Sequence, residues 1–122
     1  MTASTVTRDR TPDGIVIVSL EGEHDLATAE TVRDGIADAA DGAIVVDLRH
    51  TQFIDSSILG VFVSASRQAE EAGTGFAIVI DPSTNGAVSR VFDVTGLADI
   101  LPTYDSLEDA LAAVGGTEGA GV

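Results

Sequence analysis

The pattern of hydrophobic and polar residues at the start of the chain predicts a β-hairpin. Residues 5–10 alternate weakly, residues 11–14 read Thr-Pro-Asp-Gly, and residues 15–20 form a largely β-branched run. A turn sequence between two such runs is typical of paired antiparallel strands. Further along, residues 43–48 are almost continuously apolar, which predicts a central strand buried on both faces.

Apolar residues that recur every three or four positions predict four helices, and Leu26 belongs to the inward-facing stripe of the first. The short apolar segments 76–80 and 100–101 predict strands, whereas the polar segments 21–25 and 49–55 predict loops. The predicted helices begin, in chain order, at Asp25 or Thr28, at Ser56 or Ser57, within residues 81–84, and at Ser106.

The resulting order of elements is β-β-α-β-α-β-α-β-α. It predicts an α/β fold with a mixed sheet, an N-terminal hairpin and about four helices, because strands that alternate with helices form layered sheets with right-handed crossovers. We interpret residues 1–114 as one domain, since they contain neither a repeat nor a linker. Residues 115–122 are predicted to form a flexible C-terminal tail.

The composition narrows the class of protein. The chain has 122 residues, no cysteine, 44% hydrophobic residues and 4% aromatic residues, so we expect an aliphatic core without disulfides. A polar N-terminus and the lack of an apolar run of about 18 residues predict no signal peptide and no membrane span, in agreement with a cytoplasmic protein. The net charge of −14 disfavours nucleic acid and acidic membranes and favours a protein partner with a basic patch.

Little in the sequence indicates catalysis, a cofactor or a metal. His24 and His50 have no cysteine nearby and no H-x-x-x-H spacing, so we predict that both are surface loop histidines. Nucleophile elbows and phosphate-binding loops with their lysine are also absent from the sequence. Asp47 ends the central strand, where a response-regulator receiver carries its phosphate, but a receiver also needs a lysine and the chain has none.

Asp55, Ser56 and Ser57 lie where a predicted loop becomes a helix. The free N–H groups and the positive dipole end of a helix N-terminus can hold an anion, including a phosphate formed in place. The same residue types are also ordinary helix caps, and the residues alone favour that interpretation.

Four segments, in one order, resemble the STAS family and in particular its bacterial anti-sigma-factor antagonists. The resemblance covers about residues 5 to 114. The segments are Phe-Ile-Asp-Ser-Ser-x-Leu-Gly at residues 53–60, Gly-Glu-x-Asp at 22–25 followed by Thr28 and Ala29, Val-Val-Asp-Leu at 45–48, and Val-Phe-Asp-Val-Thr-Gly-Leu at 91–97.

The resemblance implies the STAS fold and a mechanism of partner switching. An unmodified antagonist binds an anti-sigma-factor serine kinase and releases the sigma factor; the kinase then phosphorylates the antagonist, which weakens the complex, and a phosphatase reverses the modification. In this chain the acceptor is expected to be Ser57, with Ser56 as the neighbouring hydroxyl and Asp55 as the cap that shapes the site. Glu23 and Asp25, on the first loop, are expected to meet basic residues of the kinase. The protein is then a substrate and ligand, not an enzyme.

One position departs from the family pattern, because Ile58 follows the second serine where a glycine is common. We expect its β-branched side chain to crowd the approaching kinase. The loops at residues 21–25 and 81–84 are expected to complete the contact face. Two other classes stay open, a STAS scaffold that is never phosphorylated and a receiver-type or small-ligand-binding domain.

Overall fold

The computed structural model describes residues 4–39 and 42–120, and within them the chain forms one mixed six-stranded sheet. The first two strands pair in antiparallel fashion and all the other pairs are parallel. The strands are β1 (Thr5–Arg10), β2 (Val16–His24), β3 (Ile44–Asp47), β4 (Thr51–Ile54), β5 (Phe76–Val79) and β6 (Thr103–Tyr104). Their order across the sheet is β1-β2-β3-β5-β6, and β4 pairs with β2.

Helices connect the parallel strands. The four helices are α1 (Leu26–Ala37), α2 (Ser56–Ala72), α3 (Gly86–Thr95) and α4 (Leu107–Ala120), and a 3₁₀ turn spans Leu97–Asp99. The hairpin, the mixed sheet and the four helices confirm the predicted fold class. Among the described residues, no helix has both the length and the apolar character needed to span a membrane.

The core lies on both faces of the sheet. The larger cluster packs α1, α2 and α3 against one face and includes the stacked rings of Phe62 and Phe92, whose centroids are 6.5 Å apart. The smaller cluster packs Ala110 and Val114 of α4 against the other face. Helix α4 lies so close to the turn before β5 that a Cβ on Gly75 would be 2.8 Å from the Cβ of Val114. Burial on both faces explains why β5 is apolar throughout and why β3 is apolar up to its last residue, Asp47.

Strand β2 is long enough to pair with two strands in succession on its inner side. Residues 16–19 pair with β3, and residues 22–24 pair with β4. The ladder shifts register at Gly22, whose φ of 87° falls in a region that glycine adopts readily. Strand β4 begins opposite Gly22, beyond the end of β3, and the shift leaves one extra residue, Gln52, in β4; the two strands then finish side by side at His24 and Ile54.

Three predictions about strands were wrong. Residues 21–25 were expected to be a loop, but β2 continues to His24, and the predicted loop at 49–55 contains β4. The first of these segments alternates buried and exposed positions, but its buried residues are a glycine and a histidine, so it lacks an apolar pattern. Residues 100–101 were expected to form a strand; Leu101 is buried, but outside the sheet, and the last strand is β6.

The C-terminal helix is longer than the pattern predicted. The flexible tail was expected from residue 115, whereas α4 continues to Ala120. Ser106 begins this helix as predicted, because its Oγ accepts a hydrogen bond from the Asp109 N–H at 3.1 Å. The flexibility of the tail itself stays a prediction, and residues 121–122 lie outside the described residues.

Candidate functional site

Helix α2 begins where β4 ends, and Asp55 is its N-cap. The Asp55 backbone is extended, and its Oδ1 accepts hydrogen bonds from the N–H groups of Ser57 at 2.9 Å and Ile58 at 3.3 Å. These two N–H groups lie in the first turn of α2, where N–H groups have no acceptor within the helix itself. The predicted capping role of Asp55 is therefore confirmed.

The other oxygen of the Asp55 carboxylate accepts a hydrogen bond from a second helix, α1. Asp55 Oδ2 accepts a hydrogen bond from the N–H of Leu26, the first residue of α1, at 3.2 Å. Asp25 is the N-cap of α1, and its side chain accepts from Ala27 N–H at 2.9 Å. Thr28 completes the capping box by accepting from the Asp25 N–H at 3.1 Å. The N-termini of α1 and α2 are thus joined through Asp55.

The two serines occupy the first two positions of α2 and differ in exposure. Ser56 is exposed, and Ser57 is half-buried between solvent and the helix end. Within residues 4–39 and 42–120, the hydroxyl of Ser57 has no hydrogen-bond partner, so nothing in the fold has to be broken before it reacts. A phosphate at this point would lie at the positive end of the α2 dipole, but beside the Asp55 carboxylate.

The structure brings all five residues predicted for the site to one place, the carboxyl ends of β2 and β4, which we call the site edge of the sheet. Asp55, Ser56 and Ser57 are consecutive, and Asp25 precedes the residue whose N–H Asp55 binds. Glu23 is exposed in β2 and lies opposite Phe53 of β4 in the ladder. The carboxylates of Glu23 and Asp25 add negative charge to this edge.

The prediction that His24 is a surface histidine was wrong, because its side chain is fully buried under the site. Nε2 lies 3.0 Å from the Glu21 carbonyl, and Nδ1 lies 3.0 Å from Thr28 Oγ1. A carbonyl oxygen only accepts, so Nε2 carries a proton. His24 therefore links the end of β2 to the capping box of α1. His50 is exposed, as predicted.

Asp47 is committed to an ion pair within the fold. Its carboxylate is buried and accepts from Arg49 at Nε (2.9 Å), Nη2 (2.8 Å) and the backbone N–H (3.0 Å). Burial acts to raise the pKa of Asp47, but the hydrogen bonds and charge of Arg49 outweigh it, so the pKa lies below its usual value. The ion pair with Arg49 explains why an aspartate stands at the end of β3, and no role as a phosphate acceptor is needed to explain it.

One expectation about the contact face was wrong, and another stays a prediction. Ile58 is fully buried in the main core, so its side chain cannot crowd a protein that approaches the helix end. That the loop at residues 81–84 completes the contact face stays a prediction. These residues were expected to start the third helix, but they form a turn before it, in which Asp81 Oδ1 accepts from the N–H of Ser83 at 3.0 Å and from its hydroxyl. The side chain of Asn85, just after the loop, donates to the Leu48 carbonyl at the end of β3.

Sequence reasoning missed two exposed apolar residues at the site edge, the carboxyl ends of β2 and β4. Leu26 was assigned to the inward face of α1, yet it is 75% exposed. Phe53 was noted only as part of a motif, and it is 49% exposed. A large apolar residue next to a helix cap, and an aromatic residue in an otherwise polar segment, were the available signals. Helical spacing concealed the first, because Leu26 shares the period of the buried residues Ala29, Val32 and Ile36.

Comparison with known proteins gives consistent results. A family model described as "STAS domain" matches residues 7–110. An anti-sigma F factor antagonist of Paenibacillus polymyxa is 35% identical over 102 residues, which cover 80% of this chain and 85% of that protein. An anti-sigma-F factor antagonist, RsfA, of Mycobacterium tuberculosis is 28% identical over 106 residues, which cover 83% of this chain and 80% of that protein.

Solved structures share the same architecture. An anti-sigma factor antagonist of Mycobacterium paratuberculosis superimposes with a TM-score of 0.76 at 31% identity, covering 92% of this chain and 94% of that one. Bacillus SpoIIAA in its phosphorylated form has the same fold, with a TM-score of 0.65 at 21% identity, covering 88% and 96%. The resemblance inferred from the four sequence segments is therefore confirmed.

We expect Asp47→Asn to lower the free energy of unfolding by roughly 1.5–3 kcal/mol at pH 7, as for other hydrogen bonds to charged groups. The folded-state pKa of Asp47 lies below the unfolded value of about 3.9, so the ionised carboxylate stabilises the fold above that value. This contribution is lost as the pH falls through the folded-state pKa. Urea unfolding should therefore show the gap between wild type and variant narrowing below about pH 4. Glu30→Gln, at an exposed position of α1, is the control, and a gap that does not change with pH contradicts the role of the charge.

We expect Asp55→Ala to lower the free energy of unfolding by roughly 2–3 kcal/mol, since it removes the cap of one helix and a hydrogen bond to another. Ser106→Ala removes the cap of α4 alone and should cost about 1 kcal/mol. Urea unfolding of the two variants compares their free energies of unfolding. In Asp55→Ala, amide hydrogen exchange should also become faster at Ser57, Ile58 and Leu26. Equal losses, with unchanged exchange at Leu26, would show that Asp55 serves only α2.

Proposed function

The chain belongs to the STAS domain family, and from this premise we propose that it is an anti-sigma factor antagonist switched by phosphorylation of Ser57. In its unmodified form it binds an anti-sigma factor that is a serine kinase, and it thereby frees the sigma factor. The relatives named anti-sigma factor antagonists support the regulatory role. The kinase, the modification and its site are our proposal.

The observation that carries the proposal is the position of Ser57. Its hydroxyl is half-buried at the start of α2, without a partner among the described residues, and its N–H is held by Asp55 at 2.9 Å. The serine is therefore accessible to another protein while its backbone is fixed by the cap. The phosphorylated form of SpoIIAA indicates that a protein of this fold can carry a phosphate.

The transfer itself is a simple exchange between two oxygen atoms. The γ-phosphorus of ATP forms a bond to Ser57 Oγ and breaks its bond to the bridging oxygen of ADP, while the hydroxyl proton leaves to a base of the kinase or to water. Asp55 is not assigned as that base, because its carboxylate already accepts three backbone N–H groups. Its role is to position the serine.

Phosphorylation changes the charge of a surface that is already acidic. A phosphoserine carries roughly −1.5 to −2 charges at pH 7, and Glu23, Asp25 and Asp55 lie on the same edge. In an interface shaped for a hydroxyl, this group adds bulk and a charge that has to be desolvated. In the free protein the dipole of α2 attracts the phosphate and the Asp55 carboxylate repels it; since both effects act at the surface, we expect the fold to be retained while binding is lost.

The remaining parts of the cycle follow from the same site. A phosphatase that removes the phosphate restores the binding form. Ser56 is the neighbouring hydroxyl, and Glu23 and Asp25 are proposed to meet basic residues of the kinase. We propose a cytoplasmic location, since the anti-sigma factor and the sigma factor act there. The protein contributes no catalytic residue, cofactor or contact with DNA to this cycle.

We expect the cognate kinase and radiolabelled ATP to label the wild type and Ser56→Ala, but not Ser57→Ala. The reason is that only Ser57 combines the motif position of the acceptor with a half-buried, unpartnered hydroxyl. Peptide mapping of the labelled protein gives the site directly. Equal labelling of Ser57→Ala would move the acceptor elsewhere, and no labelling of any form would favour a scaffold that works by binding alone.

We expect calorimetric titration of the kinase to rank the forms of the protein by charge at position 57. Ser57→Ala should bind about as tightly as wild type, Ser57→Asp more weakly, and the phosphoserine form most weakly. A loss of about 2.7 kcal/mol for the phosphoserine form corresponds to about 100-fold in affinity. Circular dichroism controls for folding, and all forms should have the same spectrum. Equal affinity of the phosphorylated and unmodified forms would exclude phosphorylation as the switch.

A further inference from the structure

Four large apolar side chains are markedly exposed among the described residues. Leu26 is 75% exposed, Phe53 49%, Val94 76% and Ile100 68%. They form two groups at opposite ends of the sheet. Leu26 and Phe53 lie at the carboxyl ends of the parallel strands, on the segments that meet at Asp55. Val94 and Ile100 lie towards the amino ends, because α3 returns there before β6 begins.

Leu26 and Phe53 are held in fixed positions relative to Ser57. The Leu26 N–H is bound at 3.2 Å by the carboxylate that binds the Ser57 N–H at 2.9 Å. Phe53 lies two residues before that carboxylate, in a strand paired with β2 through Glu23. Neither position depends on a mobile loop, so a partner would meet both side chains without ordering the backbone first. Such preorganisation lowers the entropic cost of binding.

The exposure of these two side chains is hard to explain by folding alone. Leu26 is the first residue of α1, a position where a polar residue would serve the helix equally well, and three quarters of its surface is in water. Single exposed apolar residues are common on protein surfaces, but apolar residues that lie together with a polar rim are typical of interaction sites, and these two lie on segments that meet at Asp55. Each has an exposed acidic neighbour: Glu23 lies opposite Phe53 in the strand pair, and Asp25 precedes Leu26 at the start of α1.

We propose that Leu26 and Phe53 form the apolar anchor by which the chain binds its anti-sigma factor, and this inference rests on the proposed function. The complementary surface on the anti-sigma factor is an apolar pocket bordered by lysine or arginine, since the anchor is bordered by Glu23 and Asp25. A few well-packed, fully desolvated side chains near the centre of an interface contribute most of its affinity, whereas charges at the rim act mainly on the rate of association. The anchor therefore holds the complex, and Ser57, beside it, decides whether the complex forms.

The test compares matched exposed positions in the full chain. The probe is the purified anti-sigma factor, taken from the host organism, that binds the unmodified wild type. Leu26→Gln and Phe53→Thr remove the two anchors and keep the propensity for helix and strand. Val94→Gln and Ile100→Gln remove exposed apolar side chains at the other end of the sheet. Melting temperatures should change by no more than about 3 °C in all four variants, since the sites are exposed.

We expect each anchor variant to bind at least about tenfold more weakly, mainly through faster dissociation, while the two control variants bind like wild type. The Michaelis constant for the chain as a kinase substrate should rise in parallel, with kcat unchanged. If the anchor variants bind as tightly as wild type, this inference is wrong and the proposed function stands. If no anti-sigma factor binds the wild type, the proposed function fails and this inference fails with it. If sedimentation shows that the anchor variants abolish a dimer of wild type, the occupant is a second copy and the proposal is overturned.

Discussion

The carboxylate of Asp55 accepts hydrogen bonds from the first turns of both α1 and α2, and the geometry of the candidate site depends on this contact. Every helix has N–H groups at its start that lack partners within the helix. Here a single side chain serves two helices, so their N-termini are held together at one point. Ser57 lies one residue beyond the start of α2, and its position relative to α1 is set by that carboxylate.

The sheet makes this arrangement possible. Strand β2 pairs first with β3 and then, from Gly22 onwards, with β4, so the ends of β2 and β4 lie next to each other. Each strand is followed directly by a helix, and Asp55, the cap of α2, therefore reaches the first residue of α1, which follows the cap Asp25. His24 supports the arrangement from below, because its ring connects the end of β2 with Thr28 of α1. A polar network under the site replaces the aliphatic packing found elsewhere in the core.

Sequence reasoning predicted the elements whose patterns come from burial on a regular face. Strand β3, helix α2 and its stop at Gly73 were predicted because apolar runs, helical spacing and a left-handed glycine leave local signals. Strand β4 was missed because its four residues do not alternate, with only Thr51 and Ile54 buried. The burial of His24 was missed because its partners, Glu21 and Thr28, act through a carbonyl and a hydroxyl that carry no hydrophobic pattern. The proposed acceptor, Ser57, was inferred from a family motif and stays a prediction. The bridge from Asp55 to Leu26 joins residues 29 apart, and only the folded chain reveals it.

The two outer strands limit how another protein can use the sheet. Strand β1 exposes five of its six residues, among them Arg8, Asp9 and Arg10, and β6 has only two residues. Charged or very short edge strands are poor templates for the addition of a further strand. Recognition by β-augmentation is therefore disfavoured at both edges, whether the added strand comes from a partner or from an aggregating copy. A partner that binds at the N-termini of α1 and α2 instead would meet Ser57, the proposed acceptor, directly.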